Sequence, residues 1–141
     1  MSDGVKKVLV ADDIPMIRAS LRSVLAKTEG YDCVGEACCA DSAYMQVKRL
    51  QPDIVLMDIS MGQPNGLQAT KLIKQDFPET RIAIFTVWDH TETLFAALSC
   101  GANGYITKTI SPSELKRALD TIMTGQVWVV PSLAKVLVSL T

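Results

Sequence analysis

The sequence predicts an α/β domain, a doubly wound five-stranded parallel sheet with helices on both faces. Short apolar runs recur at a nearly regular interval, and amphipathic helical segments lie between them. Three of the runs are continuously apolar, which is typical of strands that are covered on both faces. Strand and helix alternate five times, and right-handed crossovers then distribute the helices over both faces of the sheet.

The five strands follow directly from these runs. The first, third and fourth runs are continuous, and the second is more mixed, as expected for an edge strand. The predicted strands are "VLVAD" (8–12), "YDCVGEA" (31–37), "IVLMD" (54–58), "RIAIFT" (81–86) and "GYITK" (104–108).

Apolar stripes at helical spacing predict a helix after each of the first three strands. Asp13 helps to cap the first helix, and Asp41 or Ser42 caps the second. Pro52 ends the second helix, and the third stops before Pro78. The stripes are Ile17, Leu21, Val24 and Leu25, then Tyr44, Val47 and Leu50, then Leu67, Leu72 and Ile73.

The fourth and fifth helices have clearer boundaries. Gly101 is placed as the C-cap of the fourth helix. Ser111 at the N-cap, Pro112 at the first helical position and Glu114 two residues later form a capping box for the fifth, which Gly125 ends. Their stripes are Leu94, Ala97 and Leu98, and Leu115, Ala118, Leu119 and Ile122.

Residues 126–141 are a separate feature after the predicted domain of residues 1–125. Pro131 and Ser132 open a short helix there. Its apolar stripe is Leu133, Val136, Leu137 and Leu140. An apolar stripe needs a surface to cover it, so we expect a linker helix that meets a further domain.

The composition is that of an ordinary globular domain, with 48% hydrophobic and 21% charged residues and a formal net charge of -1. No basic excess points to nucleic acid, and no charge run points to a membrane surface. The N-terminal segment lacks a secretory signal pattern, so we expect a cytoplasmic protein without membrane contact. The 4 cysteines lack the spacing of zinc ligands and are expected to be reduced thiols.

Polar side chains follow the apolar runs where four of the predicted strands end. Asp12 and Asp13 close the first strand, Asp58 the third, Thr86 the fourth and Lys108 the fifth. In an open parallel sheet, ligands bind beyond the carboxyl ends of the strands. If the first and third strands are neighbours, three carboxylates converge at one edge of the sheet.

Converging carboxylates need a compensating charge, since two of them about 4 Å apart repel by roughly 4 kcal/mol at an effective dielectric of 20. Mg²⁺ suits a site of carboxylates, a backbone carbonyl and waters. With the Lys108 ammonium and the Thr86 hydroxyl, these are the groups that phosphoryl transfer needs, and an aspartate can serve as the acceptor. Singly, each residue has a simpler explanation as a helix cap, a strand end or a solvated charge; the set together favours a common site.

Over residues 6–125 the chain resembles the receiver domains of two-component response regulators. The resemblance rests on "ADD" at 11–13, "MDISM" with Asp58, "FT" with Thr86, and "GANGYITK" with Tyr105 and Lys108. The segments "DDIPMIR", "GLQAT" and "GANGYITK" are most similar to the NarL/FixJ (LuxR-type) subfamily. The resemblance implies a flavodoxin-like sheet with the strand order 2-1-3-4-5.

The resemblance also implies a phosphoacceptor and a metal site. Asp58 would accept a phosphoryl group from a sensor histidine kinase. Asp12, Asp13 and Asp58 would hold Mg²⁺, directly or through water, together with the backbone carbonyl of Ser60. The protein would not be an enzyme beyond self-phosphorylation and self-dephosphorylation.

A switch is implied in the same way. Lys108 would pair with Asp58 and then with the phosphoryl oxygens. Thr86 would move to hydrogen-bond the phosphoryl group, and Tyr105 would change rotamer with it. We also expect the chain to form a homodimer on phosphorylation.

NarL/FixJ regulators usually carry a C-terminal helix-turn-helix that binds DNA, and this sequence ends at Thr141 without one. We therefore expect a transcription regulator whose DNA-binding domain is absent from this chain, with a stand-alone single-domain receiver as the alternative. A phosphatase or phosphotransferase with a catalytic aspartate would need a second aspartate where this chain has Ser60. A pseudo-receiver that only binds partners is disfavoured by the intact set Asp13, Asp58 and Lys108.

Three positions depart from the family pattern. Gly62 stands where proline is usual, and Asn65 replaces the common aspartate before the glycine of the next helix. Thr109 stands where many receivers have a proline after a cis bond, and a non-proline cis bond costs about 2.5–4 kcal/mol. We expect higher mobility across residues 61–65 in the metal-free state.

Overall fold

The computed structural model describes residues 4–139 and confirms the doubly wound α/β fold. Its strands are β1 (Lys6–Ala11), β2 (Tyr31–Ala37), β3 (Ile54–Met57), β4 (Arg81–Thr86), β5 (Gly104–Thr107) and β6 (Trp128–Val129). All of them pair in parallel, in the order β2-β1-β3-β4-β5-β6. The predicted five-stranded order is confirmed, and the short β6 extends the sheet at the β5 edge.

Six helices accompany these strands within residues 4–139. They are α1 (Pro15–Ala26), α2 (Ala40–Leu50), α3 (Gly66–Asp76), α4 (Thr91–Ser99), α5 (Pro112–Met123) and α6 (Pro131–Ser139). Each of the first five follows the strand that the sequence predicts it to follow.

The predicted caps of the first two helices are wrong. The N-cap of α1 is Ile14, and its N–H donates to Asp12 Oδ1 at 2.9 Å, so Asp12 rather than Asp13 accepts a bond there. The N-cap of α2 is Cys39, whose extended backbone precedes the helix. Asp41 and Ser42 already lie within the first turn of α2, where their side chains are too far along the helix to cap it.

The ends of α2, α3 and α5 agree with the sequence, whereas the C-cap of α4 is Cys100, and the predicted Gly101 follows it with a φ of +98°. The Ser111 hydroxyl accepts a bond from the Glu114 N–H at 3.2 Å and caps α5, but the predicted capping box is only half formed, and Glu114 Oε1 accepts from Arg117 Nη1 instead.

At α3, Asn65 forms a full capping box with Gln68: its Oδ1 accepts from the Gln68 N–H, and Gln68 Oε1 accepts from the Asn65 N–H. Asn65, which departs from the family pattern at this position, is therefore the N-cap of α3.

The sheet separates two apolar clusters. Alternate residues of a strand face opposite sides, so Val8 and Val10 of β1 contribute to one cluster and Leu9 and Ala11 to the other. One cluster lies under α1 and α5, and the second lies under α2, α3, α4 and α6. Burial on both faces explains the continuously apolar strands, and it makes the carboxyl edge of the sheet a rigid base for side chains.

The C-terminal segment packs on the same domain. Trp128 and Val129 of β6 pair with Gly104 and Tyr105 of β5. Leu133 of α6 is 7% exposed and belongs to the cluster that contains Tyr105.

Val136 and Leu137 are partly buried against that cluster. The apolar stripe of α6 thus finds its cover on the domain itself, whereas the sequence alone suggested a further domain. Leu140 lies outside the described residues, and the boundary after residue 125 stays a prediction.

We expect Leu133→Ala to lower the free energy of unfolding by about 2–4 kcal/mol, because it removes a buried leucine from the contact between α6 and the core. Urea unfolding followed by far-UV circular dichroism measures this. Lys135→Ala, an exposed position on the same helix, is the matched control. Equal unfolding free energies for the two variants would show that α6 is not docked.

Candidate functional site

The carboxyl edge of the sheet brings the three predicted carboxylates together. The Asp12 N–H donates to the Ala37 carbonyl at 3.0 Å, and the Asp58 N–H donates to the Ala11 carbonyl at 2.9 Å. These bonds continue the β1–β2 and β1–β3 pairing, so both aspartates are fixed by the sheet. One oxygen from each of Asp12, Asp13 and Asp58 lies within 4.8 Å of the others. Asp12 and Asp58 are only 1% and 3% exposed, and Asp13 is exposed.

Lys108 supplies positive charge to this cluster. Its Nζ lies 2.8 Å from Asp12 Oδ2 and 3.3 Å from Asp58 Oδ1. The Lys108 N–H donates to the Thr86 carbonyl at 2.8 Å, which ties the end of β5 to the end of β4. The predicted pairing of Lys108 with Asp58 is present, and the contact with Asp12 is closer still.

The charges on this site are only partly balanced. Burial raises the pKa of Asp58 above its ordinary value and the charge of Asp12 raises it further, while Lys108 lowers it in part. Burial alone would lower the pKa of Lys108, but its contacts with Asp12 and Asp58 outweigh this and raise the pKa. The lysine therefore stays an ammonium at neutral pH, and one ammonium faces three carboxyl groups.

The donor set fits a divalent cation such as Mg²⁺. Asp12 Oδ2 is buried and, among the described residues, has no hydrogen-bond partner, although the Lys108 ammonium lies beside it. Mg²⁺ binds oxygen at about 2.0–2.1 Å and completes its shell with water, which is compatible with carboxylate oxygens at this separation. Ser60 lies exposed in the loop after Asp58, and its carbonyl as a ligand stays a prediction.

The two predicted switch residues, Thr86 and Tyr105, both hydrogen-bond to the main chain of Trp88. Thr86 Oγ1 accepts a bond from the Trp88 N–H at 3.3 Å, and the Tyr105 hydroxyl donates to the Trp88 carbonyl at 2.6 Å. Thr86 and Tyr105 are both buried. Burial raises the pKa of Tyr105 to about 12, so its hydroxyl stays a donor at neutral pH. The two side chains are thus linked through one residue, and their movement with phosphorylation stays a prediction.

The backbone conformation of the loop between β3 and α3 explains why position 62 is a glycine. Its φ is +86°, in the left-handed region that favours glycine, whereas proline is restricted to a φ near −65°. The neighbouring Gln63–Pro64 bond is cis, and the Lys108–Thr109 bond, which the family pattern raised as a question, is trans. The expected mobility of residues 61–65 stays a prediction.

Gly66 holds this loop against the backbone of Asp58, a role that sequence reasoning missed. A Cβ atom on Gly66 would overlap the carbonyl oxygen of Asp58 and would lie 2.9 Å from the Cα of Ile59. The Gly66 N–H donates to the Ile59 carbonyl at 2.9 Å. The only signal in the sequence was the Asn65–Gly66 pair before a helical stripe, which also fits an ordinary helix start.

Arg18 is the second residue that sequence reasoning missed. Its Nη1 donates to the backbone carbonyl of Asp12 at 2.7 Å. The segment "DDIPMIR" ends on Arg18 but gives it no role, because its partner is a main-chain atom and the contact depends on how α1 lies over the end of β1.

Comparison with known proteins identifies the family. The model of the response regulator receiver domain matches residues 8–120, and the chain therefore belongs to this family. The response regulator GacA of Pseudomonas aeruginosa is 33% identical over 129 residues, which cover 92% of this chain and 60% of that protein. The oxygen regulatory protein NreC of Staphylococcus haemolyticus is 37% identical over 124 residues, covering 87% and 57%. This chain thus spans about three-fifths of the length of these relatives.

Solved structures place the chain in the LuxR/NarL branch of that family. A LuxR-family two-component response regulator from Aurantimonas sp. has a TM-score of 0.89 at 34% identity, with 94% of each chain covered. The isolated receiver domain of RcsB from Salmonella enterica serovar Typhimurium, solved with the phosphomimetic BeF3-, has a TM-score of 0.84 at 26% identity, covering 94% and 98%. Within residues 4–139, none of the helices combines the length and the apolar character needed to cross a membrane.

We expect Gly66→Ala to lower the free energy of unfolding by about 1–3 kcal/mol, since the added methyl group overlaps backbone rather than a flexible side chain. Urea unfolding measures the change. Gly35→Ala is the control, because the nearest atom to its added Cβ is the flexible end of Leu50. A Gly66→Ala protein as stable as the wild type would refute the close approach to Asp58.

We expect Asp58→Asn to be more stable than the wild type at pH 7 in the presence of a chelator. A raised pKa in the folded state means that Asp58 ionises less readily there than in the unfolded chain, so wild-type stability falls as pH rises from the ordinary carboxyl pKa through the raised one. The difference should shrink as pH falls below that window. Thermal unfolding at several pH values measures it, and a less stable variant at pH 7 would contradict the charge imbalance.

Proposed function

We propose that this chain is a phosphoaccepting receiver: Asp58 accepts a phosphoryl group in a Mg²⁺-dependent reaction, and the domain then changes conformation to control an output. The observation that carries the proposal is the placement of Lys108 between two buried carboxylates, with a third carboxylate beside them. Membership of the receiver family supports it.

The residues have distinct roles in this reaction. An oxygen of Asp58 attacks phosphorus, and the bond from phosphorus to the donor breaks as the acyl phosphate forms. Lys108, 3.3 Å from Asp58 Oδ1, is placed to neutralise charge on the transferred group. Asp12, Asp13, Asp58 and the Ser60 carbonyl would hold Mg²⁺, which supplies further charge neutralisation on the phosphoryl oxygens.

The donor is a phosphohistidine of a sensor histidine kinase. The proposed acceptor, Asp58, is only 3% exposed, so water has limited access to it. Beyond this acceptance, the chemistry of the domain is limited to self-phosphorylation from small donors and self-dephosphorylation.

The conformational response begins at Thr86. A phosphoryl group adds about -1.5 to -2 charges and strong acceptor oxygens beside the Thr86 hydroxyl. When Thr86 turns toward them, it gives up the bond from the Trp88 N–H, and the Trp88 carbonyl is the partner of Tyr105. Rearrangement of Trp88 and Tyr105 then alters the surface around α4 and β5 and favours a homodimer.

The output we propose is transcription, through a DNA-binding domain that lies outside this chain. LnrK of Bacillus subtilis, 34% identical over 127 residues, is a transcriptional regulatory protein, and one RcsB structure contains dimers bound to DNA. A stand-alone receiver that acts through protein contacts is the second candidate. The packing of Leu133, Val136 and Leu137 on their own domain favours that alternative, because this described part of the apolar stripe is covered without a further domain.

Phosphorylation tests the proposal. We expect incubation with Mg²⁺ and acetyl phosphate to add one phosphoryl group, detected by intact-protein mass spectrometry. Asp58→Asn should abolish the adduct. Asp53→Asn is the matched control, since Asp53 precedes β3 and lies at the opposite edge of the sheet.

The outcomes separate the candidate classes. A long-lived adduct on Asp58 supports a receiver. Rapid consumption of acetyl phosphate without an adduct would indicate an enzyme, and the absence of both would indicate a pseudo-receiver. Either of the last two results overturns the proposed function.

A further inference from the structure

We propose that Arg18, oriented by Glu36, is a positioning residue that fixes the Asp12 carboxylate in the geometry that the cation site requires. This inference rests on the proposed function, and it assigns a role to two residues outside the acidic cluster. It begins with the observation that Arg18 contacts the main chain of Asp12 and not its side chain.

Asp12 is held at four points. Its N–H donates to Ala37, and its carbonyl accepts from Arg18 Nη1 at 2.7 Å. Its Oδ1 accepts from the Ile14 N–H at 2.9 Å, and its Oδ2 lies 2.8 Å from Lys108 Nζ. The first three contacts fix the peptide and one oxygen, so the remaining oxygen is presented to the shared site in a single orientation.

Glu36 in turn orients Arg18. Glu36 Oε1 accepts from Arg18 Nε at 3.0 Å, and Glu36 Oε2 contacts Arg22, one turn further along α1. The Glu36 carbonyl accepts from Gln46 Nε2 at 3.2 Å, which anchors this end of β2 to α2. The chain of contacts therefore runs from α2 through β2 and α1 to the backbone of Asp12.

The geometry requires a guanidinium. Arg18 uses Nε for Glu36 and Nη1 for Asp12 at the same time, and its planar group holds these two donors in a fixed relation. A lysine has the same charge, but its donors rotate about one nitrogen and cannot reproduce this fork. Replacing Arg18 with lysine therefore keeps the positive charge and removes the fixed orientation of the two donors.

A purely structural role would give a different result. The side chains of Arg18 and Glu36 are 18% and 31% exposed, so loss of a contact that only braces the fold would lower the free energy of unfolding and leave the Mg²⁺ affinity unchanged. Partners that orient a metal ligand, by contrast, typically change metal affinity by about 10–100-fold when they are removed. Metal affinity and stability therefore distinguish positioning from simple bracing.

The test compares Arg18→Lys with Arg22→Lys in the full chain. Arg22 also contacts Glu36 but has no described contact with Asp12, so it is a control with the same charge-conserving substitution, on the same helix and with the same partner. Mg²⁺ is titrated into ¹⁵N-labelled metal-free protein, and its dissociation constant is read from the amide signals of Asp13 and Ile14. Hydrogen exchange of the Ile14 amide, which reports the bond to Asp12 Oδ1, is measured without metal.

We expect Arg18→Lys to raise the Mg²⁺ dissociation constant roughly 10-fold and to speed exchange of the Ile14 amide. Arg22→Lys should change both by less than about 2-fold, the size of an exposed ion-pair effect. Glu36→Gln, which weakens the orientation of Arg18 without touching Asp12, should fall between them. Urea unfolding of each variant verifies that it is folded.

Wild-type affinity and exchange in Arg18→Lys, or equal changes in Arg18→Lys and Arg22→Lys, would overturn the positioning role and leave the proposed function intact. Failure of the wild type itself to bind Mg²⁺ would overturn both. If Arg18→Lys does not fold, the comparison of Glu36→Gln with Arg22→Lys decides the question in the same way.

Discussion

The rest of the structure depends on the burial of carboxylates at one edge of the sheet with too little positive charge beside them. Asp12 and Asp58 are almost inaccessible, and Lys108 is the ammonium that lies between them. Isolated buried charges are strongly unfavourable, so such a cluster persists only when its backbone is well supported and a cation is available to complete it. The same imbalance favours binding of a cation, and the burial of Asp58 limits the access of water to its carboxylate.

The strand order and the main-chain contacts around the two aspartates hold their carboxylates in place. The order of the strands places β1 beside β3, and this adjacency alone brings Asp12 to Asp58. The chain then approaches the carboxylates from two sides, with Gly66 packed on the carbonyl of Asp58 and Arg18 bonded to the carbonyl of Asp12. On the far side, Tyr105 pairs with Val129 of β6, and its carbonyl accepts from the N–H of the following residue, Val130, at 3.0 Å. A change at Asp58 therefore has a short covalent and hydrogen-bonded route to the C-terminal segment.

Much of the fold and of the acidic site could be predicted from the sequence, because buried strands appear as continuous apolar runs and helices as apolar stripes at helical spacing. The strands follow from that pattern. The convergence of Asp12, Asp13, Asp58 and Lys108 follows from the rule on strand ends together with the strand order that the family resemblance implies. The docking of β6 could not be predicted, since a two-residue strand has no period to detect. The roles of Gly66 and Arg18 could not be predicted for a related reason. Each residue contacts a main-chain carbonyl, and only the folded backbone shows which carbonyl that is. The cap at Asp13 was wrong because two adjacent aspartates are equivalent in sequence, whereas only Asp12 is turned toward the Ile14 N–H.

The most direct test of the account is whether an analogue of the phosphoryl group binds to Asp58 only when a cation completes the site. Beryllofluoride is a phosphomimetic used with the RcsB receiver domain, and its bound fluorines are observable by ¹⁹F NMR. We predict resonances of bound fluorine in the wild type that require Mg²⁺, disappear with a chelator and are absent from Asp58→Asn. Bound resonances that persist without Mg²⁺ or in Asp58→Asn would contradict it.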